Sequence, residues 1–421
     1  MLTRVGHRVD RGRLLGHLNE LARFGGADGG GVSREGFGEA DNAARAYLTG
    51  QAESLGLTAS VDPAGNLLIR RRRSHEPERP VLLFGSHLDS VTNGGRYDGA
   101  YGVVAALEVL AHFAEHPGPM AYEPVAVAFA NEEGALFPCP FFGSKALVGM
   151  VNSADGIVDH DGRPLRAALS AAGGDPDALA TAAWPAGSIG AFLELHVEQG
   201  PILERCGTPI GIVDVVTGRS ILDITLNGRQ NHAGTTPMDA RCDALVAAAK
   251  LIVAIENLAR EQGVCSVATV GTIDSAPNVT NVIPGSVTLT AEIRDGSPQR
   301  LAAAERAILQ LVAESDTHHN SARVTMRSAP TETDPRIRAC VAEAAAELGF
   351  ATMGLSSGAG HDAQIIAAAA PVAVIFVPSR DGISHAPAEH TDPEDLVAGA
   401  DVLLGTVRRM LFTVPAPGAR P

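Results

Sequence analysis

Little in this 421-residue chain speaks for cross-links, membranes or nucleic acid. Its five cysteines (Cys139, Cys206, Cys242, Cys265, Cys340) are scattered, odd in number and without CxxC spacing, which argues against a disulfide framework or a structural zinc knuckle. No run of about 18 apolar residues occurs, and the opening stretch MLTRVGHRVDRGRLLGHL has no apolar segment of the signal-peptide kind. The expectation is a cytoplasmic protein with no membrane partner. Positive charge is also short: the net charge is −15, and phosphate recognition needs clustered Lys and Arg, so no nucleic-acid partner is expected. The one strong basic run, Arg70 to Arg73, reads as a solvated hairpin tip, and the tail TVPAPGARP as frayed. Aromatic residues are sparse at 4%, while Ala, Gly and Val are abundant.

What is present suits a folded protein: 45% hydrophobic and 19% charged residues, in a length sufficient for two domains. Helical spacing covers 10–24 and 39–56. Strands are then expected at 58–70, 81–87, 123–131 and 190–197, with helices near 99–116 and after Gly143. Buried apolar strands separated by helices indicate an α/β layered domain with a mostly parallel mixed sheet. The texture changes near residue 215. Residues 220–227 alternate strictly, a helix runs from Asp239 to about Glu261, strands follow at 264–273 and 286–294, a helix at 297–315 and a last strand at 322–328. This β-α-β-β-α-β order is that of a ferredoxin-like α+β sandwich. After Thr333 the first texture returns, with a helix at 334–348, a buried strand at 372–377 and a terminal helix from Pro393. The expected organisation is a discontinuous domain, 1–214 with 331–421, carrying an inserted module, 215–330.

The chemistry concentrates where apolar strands end. Val81–Phe84 run into His87, and Asp98 follows in the glycine-rich loop of GSHLDSVTNGGRYDGAYGV. Six apolar residues, Val125–Ala130, run into Asn131, Glu132 and Glu133. Adjacent carboxylates at the mouth of a buried strand are costly unless cations or functional protons compensate them. His196 in LELHVEQG and His385 in GISHAPAEHT complete the set. Strand C-terminal ends share one edge of a parallel sheet, where ligands bind. Imidazoles and carboxylates there suit two close divalent ions bridged by an Asp, with a remaining Glu as general base.

With these residues in place, the chain resembles the M20 metallopeptidase-related amidohydrolases, specifically the hydantoinase/carbamoylase branch of N-carbamoyl-L-amino acid hydrolases, allantoate amidohydrolases and bacterial β-ureidopropionases. Seven blocks occur in family order: GSHLDSVTNGGRYDGAYGV, NEEGALF, LELHVEQGP, NHAGTTPM, NVIPG, SGAGHDA and PSRDGISHAPAEHT. The resemblance implies a phosphorylase/hydrolase-like catalytic domain with a lid and dimerisation module. It implies two divalent ions per subunit (Zn²⁺, Mn²⁺, Co²⁺ or Ni²⁺): Asp98 bridging, His87 and His196 completing one site, Glu133 and His385 the other. Glu132 is implied as the general base. Gln199 is implied to contact the ureido or amide group, and His232 to polarise the scissile carbonyl, commonly from the neighbouring subunit of a homodimer. Asn281 and Arg294 are implied to clamp the substrate carboxylate, with Gly360 and His361 lining the pocket. Tyr97, Tyr101, Cys139 and His390 depart from the family pattern without removing a ligand.

The implied activity is hydrolysis of a linear C–N bond in a small carboxylate-bearing ureido or amide compound, first an N-carbamoyl-L-amino acid, then allantoate or β-ureidopropionate, or the amide of a specialised metabolite. The alternative from another class is a catalytically silent binding protein, whose signature would be loss of Glu132 or of a ligand. Plainer readings apply elsewhere. Glu194 and Glu198 are lesser alternatives to His196, His112 and His116 read as a solvent-facing helix end, His318 and His319 as a polar loop, and Cys139 as no nucleophile.

Overall fold

The computed structural model describes residues 8–71, 79–116, 118 and 120–412. Its main strands are β1 (Leu57–Val61), β2 (Leu67–Arg71), β3 (Val81–His87), β4 (Glu123–Phe129), β5 (Ile189–Val197), β6 (Ile210–Val216), β7 (Gly218–Asn227), β8 (Val267–Ala276), β9 (Ser286–Asp295), β10 (His318–Ser328), β11 (Thr352–Ser357) and β12 (Val372–Val377). The longer helices are α1 (Arg11–Leu21), α2 (Glu39–Ser54), α3 (Ala100–Glu115), α4 (Ala244–Arg260), α5 (Pro298–Ala313), α6 (Pro335–Leu348) and α7 (Pro393–Phe412). The described chain divides into two compact units, one reaching Asp214 and resuming at Thr333, the other Val215–Glu332.

In the first unit the sheet order is β1-β2-β4-β3-β5-β12-β6, with β11 also on β6. The centre is parallel: β3 with β4, β3 with β5, and β5 with β12. Both sides of that centre are antiparallel. Every residue of β3, β4 and β12 is buried, which is why these strands read as unbroken apolar runs. Against one face lies α3, buried from Ala100 to Phe113 and apolar nearly all round, with α1, α6 and α7 sharing that core. A smaller cluster of Phe37, Phe137, Phe142 and Leu169 packs separately.

The second unit has an antiparallel sheet in the order β10-β7-β9-β8. Leu222, Ile224 and Leu226 of β7 and Leu289, Ala291 and Ile293 of β9 bury one face against α4 and α5. Alternation along β7 and β9 is the direct mark of this one-sided burial. Asp243 and Ser297 cap the two helices with their side-chain oxygens. The chain order is the β-α-β-β-α-β expected from the sequence.

Several expectations are corrected. Residues 58–70 are a hairpin rather than one strand, because residues 62–66 turn and Asp62 Oδ1 accepts from the amides of Ala64 and Asn66. Arg70 and Arg71 lie in β2, half-buried, with Arg70 over the Trp184 ring and Arg71 3.9 Å from Glu123, so this half of the basic run is packed rather than solvated. Arg72, Arg73 and the tail lie outside the described residues. His112 is buried and stacks on His116 with ring centroids 4.6 Å apart, instead of facing solvent. His318 and His319 begin β10 rather than forming a loop.

One buried arginine ties the helical layer to the strand that leads to Glu132. Arg45 on α2 pairs with Asp41 at 3.0 Å and donates to the carbonyls of Gly65, Ala128 and Phe129. Replacing it leaves the buried Asp41 carboxylate with the Phe37 amide but no cation, and removes a donor from three carbonyls. Arg45→Met is expected to cost about 3–5 kcal/mol, visible as a lower thermal midpoint and urea midpoint than wild type.

Candidate metal centre

The parallel register brings the ends of β3, β4, β5 and β12 to one edge. His87 sits opposite Phe129, and His196 opposite Phe376. Asn131 follows β4 with φ +53°, a left-handed conformation that asparagine tolerates, and its amide donates to the carbonyls of Phe137 and Cys139. This sharp exit places Glu132 and Glu133 in succession at the strand mouth. In the loop after β3, Gly99 has φ +62°, and a Cβ there would lie 2.4 Å from the His87 ring. Only glycine lets the Asp98 loop approach the imidazole this closely.

Asp98 is the centre of the cluster. Its Oδ1 lies 3.1 Å from His196 Nε2 and 3.5 Å from His87 Nε2. Its Oδ2 lies 3.3 Å from His385 Nε2, which is also 3.3 Å from Glu133 Oε1. Two groups of three donors therefore form, His87–Asp98–His196 and Asp98–Glu133–His385, and each is tight enough to hold a metal ion. They share the Asp98 carboxylate, one oxygen toward each. The other ring nitrogens of His87 and His196 face backbone carbonyls, Asp89 O at 2.9 Å and Val197 O at 2.8 Å. Donation from Nδ1–H leaves Nε2 as the lone-pair nitrogen, the arrangement found in metal-ligating histidines.

The electrostatics fit the same picture. Burial would raise the Asp98 carboxyl, but His196, His385 and His87 outweigh it and hold the group well below the usual carboxylate range. His385 is pushed up to about 11 by its contacts with Asp98 and Glu133. Glu132 goes the other way: burial, aided by Glu133, Asp362 and Asp89 against His87, lifts its carboxyl well above the ordinary value. Its Oε2 is 3.8 Å from His87 Nε2. A poised carboxyl beside two donor sets suits general acid–base work.

Comparison with known proteins agrees with this geometry. The family model for peptidase family M20/M25/M40 matches residues 83–409. The chain belongs to that family. An N-carbamoyl-L-amino-acid amidohydrolase of Paenarthrobacter aurescens is 38% identical over 94% of this chain and 97% of its own length. An allantoate amidohydrolase of Bacillus subtilis is 34% identical over 94% and 97%. The crystal structure of a hydantoinase/carbamoylase family amidase from Burkholderia multivorans superposes with a TM-score of 0.86 at 34% identity, covering 95% of this chain and 97% of that one. The chain is thus a hydrolase of the M20 family, grouped with amidases and amidohydrolases.

The remaining sequence candidates fall in both units. In the first, Gln199 adopts φ +59° and donates from Nε2 to Asp98 Oδ2 at 2.7 Å. His361 is buried, its ring 5.0 Å from that of His196, and burial with the neighbouring His196 holds its imidazole well below the usual histidine range. Gly360 passes the Phe141 ring so closely that a Cβ would lie 2.9 Å from it. In the second unit, the Asn231–His232 and Val282–Ile283 strands pair, and Asn281 O accepts from Ala233 N. His232 Nδ1 accepts from the amides of Gly234 and Thr235 at 3.0 and 3.2 Å, so the neutral ring carries its proton on Nε2. Arg294 lies on β9 with its Nε on Glu292 at 2.7 Å.

Sequence reading passed over Asp89, two residues after His87 in HLDS. Its carboxylate accepts from the amides of Glu132 and Glu133, each at 3.0 Å, fixing the loop that carries both. The His-x-Asp spacing at a strand end was the available signal. Glu194 and Glu198 lie outside both donor groups. Glu194 accepts from Ser86 Oγ and Ala363 N, and Glu198 from the amides of Ile202 and Leu203.

Cys139 stands near this loop with its thiol pushed up to about 11, chiefly by burial. At pH 8 only about one thiol in a thousand is then ionised. Peptide-resolved iodoacetamide labelling should find Cys139 slow at pH 8 and rising steeply toward pH 11, and Cys139→Ala should keep kcat within about threefold if the thiol is no nucleophile.

Proposed function

We propose that this chain hydrolyses the carbamoyl C–N bond of an N-carbamoyl-L-amino acid, releasing the amino acid with ammonia and carbon dioxide, at two divalent cations held by His87, Asp98, Glu133, His196 and His385. The reading is carried by the shared Asp98 carboxylate, which offers one oxygen to each of two donor groups. Bound divalent ions (Zn²⁺, Mn²⁺, Co²⁺ or Ni²⁺) supply Lewis acidity and lower the pKa of water.

The protein's own groups do the rest. Glu132 takes a proton from the attacking water and hands it to the departing nitrogen, a role suited to a carboxyl with raised affinity for protons. Asp89 holds Glu132 in place through its backbone amide. Gln199 orients the ureido group. His232, with its proton on Nε2, donates to the carbonyl oxygen as negative charge develops there. Asn281 and the planar fork of Arg294 receive the substrate carboxylate. Gly360 and His361 shape the wall of the pocket. The relatives named for N-carbamoyl amino acids and for allantoate support this substrate class.

The module of residues 215–330 is the proposed lid and dimerisation domain of a cytoplasmic homodimer. Supporting this, β8 is an edge strand of its sheet, and exposed Val267 and Ile273 on it accompany exposed Leu245, Val246 and Val253 on α4. Apolar surface of this kind beside an open strand edge invites pairing with a second chain. Among the described residues, no helix is long and apolar enough to cross a membrane. Sedimentation equilibrium should give twice the chain mass, and a monomer at micromolar concentration would remove the dimer.

The activity is tested with chelated protein reloaded with each metal and offered N-carbamoyl-L-amino acids, allantoate, β-ureidopropionate and a simple N-acyl amino acid. Ammonia release is expected first from the N-carbamoyl-L-amino acids and only after reloading. Glu132→Gln should keep its bound metal while kcat falls about 10²–10⁴-fold. Unchanged turnover would remove Glu132 from the mechanism.

A further inference from the structure

Glu389 has no part in the roles assigned above. It is 3% exposed, and three donors converge on its carboxylate. Oε1 accepts from the amides of Tyr97 and Asp98 at 2.8 and 3.1 Å. Oε2 accepts from Ser384 Oγ at 2.9 Å. The same hydroxyl lies 3.0 Å from Asp98 Oδ2. The chain also clears space for this carboxylate: a Cβ on Gly95 would lie 2.0 Å from its carboxyl carbon.

A serine hydroxyl has one hydrogen and here faces two carboxylates. Asp98 Oδ2 already accepts from Gln199 Nε2 at 2.7 Å, so a Ser384 hydrogen pointed there takes the remaining lone pair, the one a cation would use. If it points to Glu389 Oε2, that lone pair is free. A buried anion at position 389 thus competes with Asp98 for the Ser384 hydrogen, while its other oxygen anchors the amide of Asp98 itself. We propose that Glu389 is a positioning residue of the metal centre: it draws the Ser384 hydroxyl hydrogen away from Asp98 and so keeps Oδ2 available to the cation held with Glu133 and His385. This rests on the reading that those three residues hold an ion.

A near-isosteric Glu389→Gln substitution reverses the arrangement. With the amide oxygen kept on the two backbone N–H groups, the introduced NH₂ donates to Ser384 Oγ, and the serine hydrogen is forced onto Asp98. The outcome is read by equilibrium dialysis of chelated protein against buffered Mn²⁺, with bound metal counted by mass spectrometry and folding checked by circular dichroism. Wild type should bind two ions. Glu389→Gln should bind the weaker ion 10–100-fold less tightly, the usual scale for groups behind metal ligands. Ser384→Ala should stay within about threefold of wild type, and the Glu389→Gln/Ser384→Ala double variant should regain most of the lost affinity, because the misdirected hydrogen is gone. A purely structural role would give no such recovery. Gly95→Ala, which displaces the carboxylate sterically, should mimic Glu389→Gln and serves if that variant fails to fold. Wild-type affinity in both Glu389→Gln and Gly95→Ala, or a double variant no better than Glu389→Gln, overturns the proposal. No bound Mn²⁺ in wild type removes instead the metal reading beneath it.

Discussion

The whole arrangement depends on how one sheet edge tolerates so many buried carboxylates. Asp89, Asp98, Glu132, Glu194, Asp362 and Glu389 are all buried in the first unit. Leaving such groups ionised in a protein interior is costly unless donors and cations surround them. Backbone amides meet part of the cost: those of Glu132 and Glu133 serve Asp89, that of Ala363 serves Glu194, and those of Tyr97 and Asp98 serve Glu389. Serine hydroxyls meet another part, Ser86 on Glu194 and Ser144 on Asp362. Asp98 and Glu133 face three imidazoles, with Gln199 and Ser384 also on Asp98, and this mixed set of nitrogen and oxygen donors is what makes the edge a candidate place for cations.

Parallel strands make this possible. Their C-terminal ends lie side by side, so residues far apart in sequence arrive at one place without long side chains. His87 and His196 sit at the ends of strands, Asp98, Glu133 and His385 in the loops that follow strands, and Gly99 removes a Cβ that would push Asp98 away from His87. The backbone carbonyls of Asp89 and Val197 favour a proton on Nδ1 of His87 and His196. Position, protonation and charge are thus set by backbone geometry as much as by side-chain identity.

The sequence shows the strands that lead to the candidate ligands clearly because β3, β4 and β12 are buried throughout and leave no alternation to misread. The strands and helices of the second unit were equally legible, from the strict alternation of β7 and β9 and the apolar period of α4. Two strands beyond β12 were not. β6 and β11 are absent from the sequence reading: Gly211 and Asp214 interrupt the apolar run of β6, and β11 is a short TMGLSS with only Leu355 and Ser357 buried. Arg70 and Arg71 look solvated until Trp184 and Glu123 are seen beside them. At the site, His87, Asp98, Glu132, Glu133, His196 and His385 stood out as polar groups at the mouths of apolar runs. Asp89 and Glu389 did not, because they act on backbone amides; Glu389 reaches Tyr97 across 292 residues, a contact that no local pattern encodes.

The central claim is that one carboxylate joins two cation sites, and anomalous diffraction at the absorption edge of the loaded metal tests it most directly. The expected map has two peaks ~3.5–4 Å apart. One should lie ~2.0–2.2 Å from His87, His196 and one Asp98 oxygen, the other at like distance from Glu133, His385 and the second Asp98 oxygen. A single ion away from Asp98, or two ions that leave its carboxylate untouched, would contradict the account.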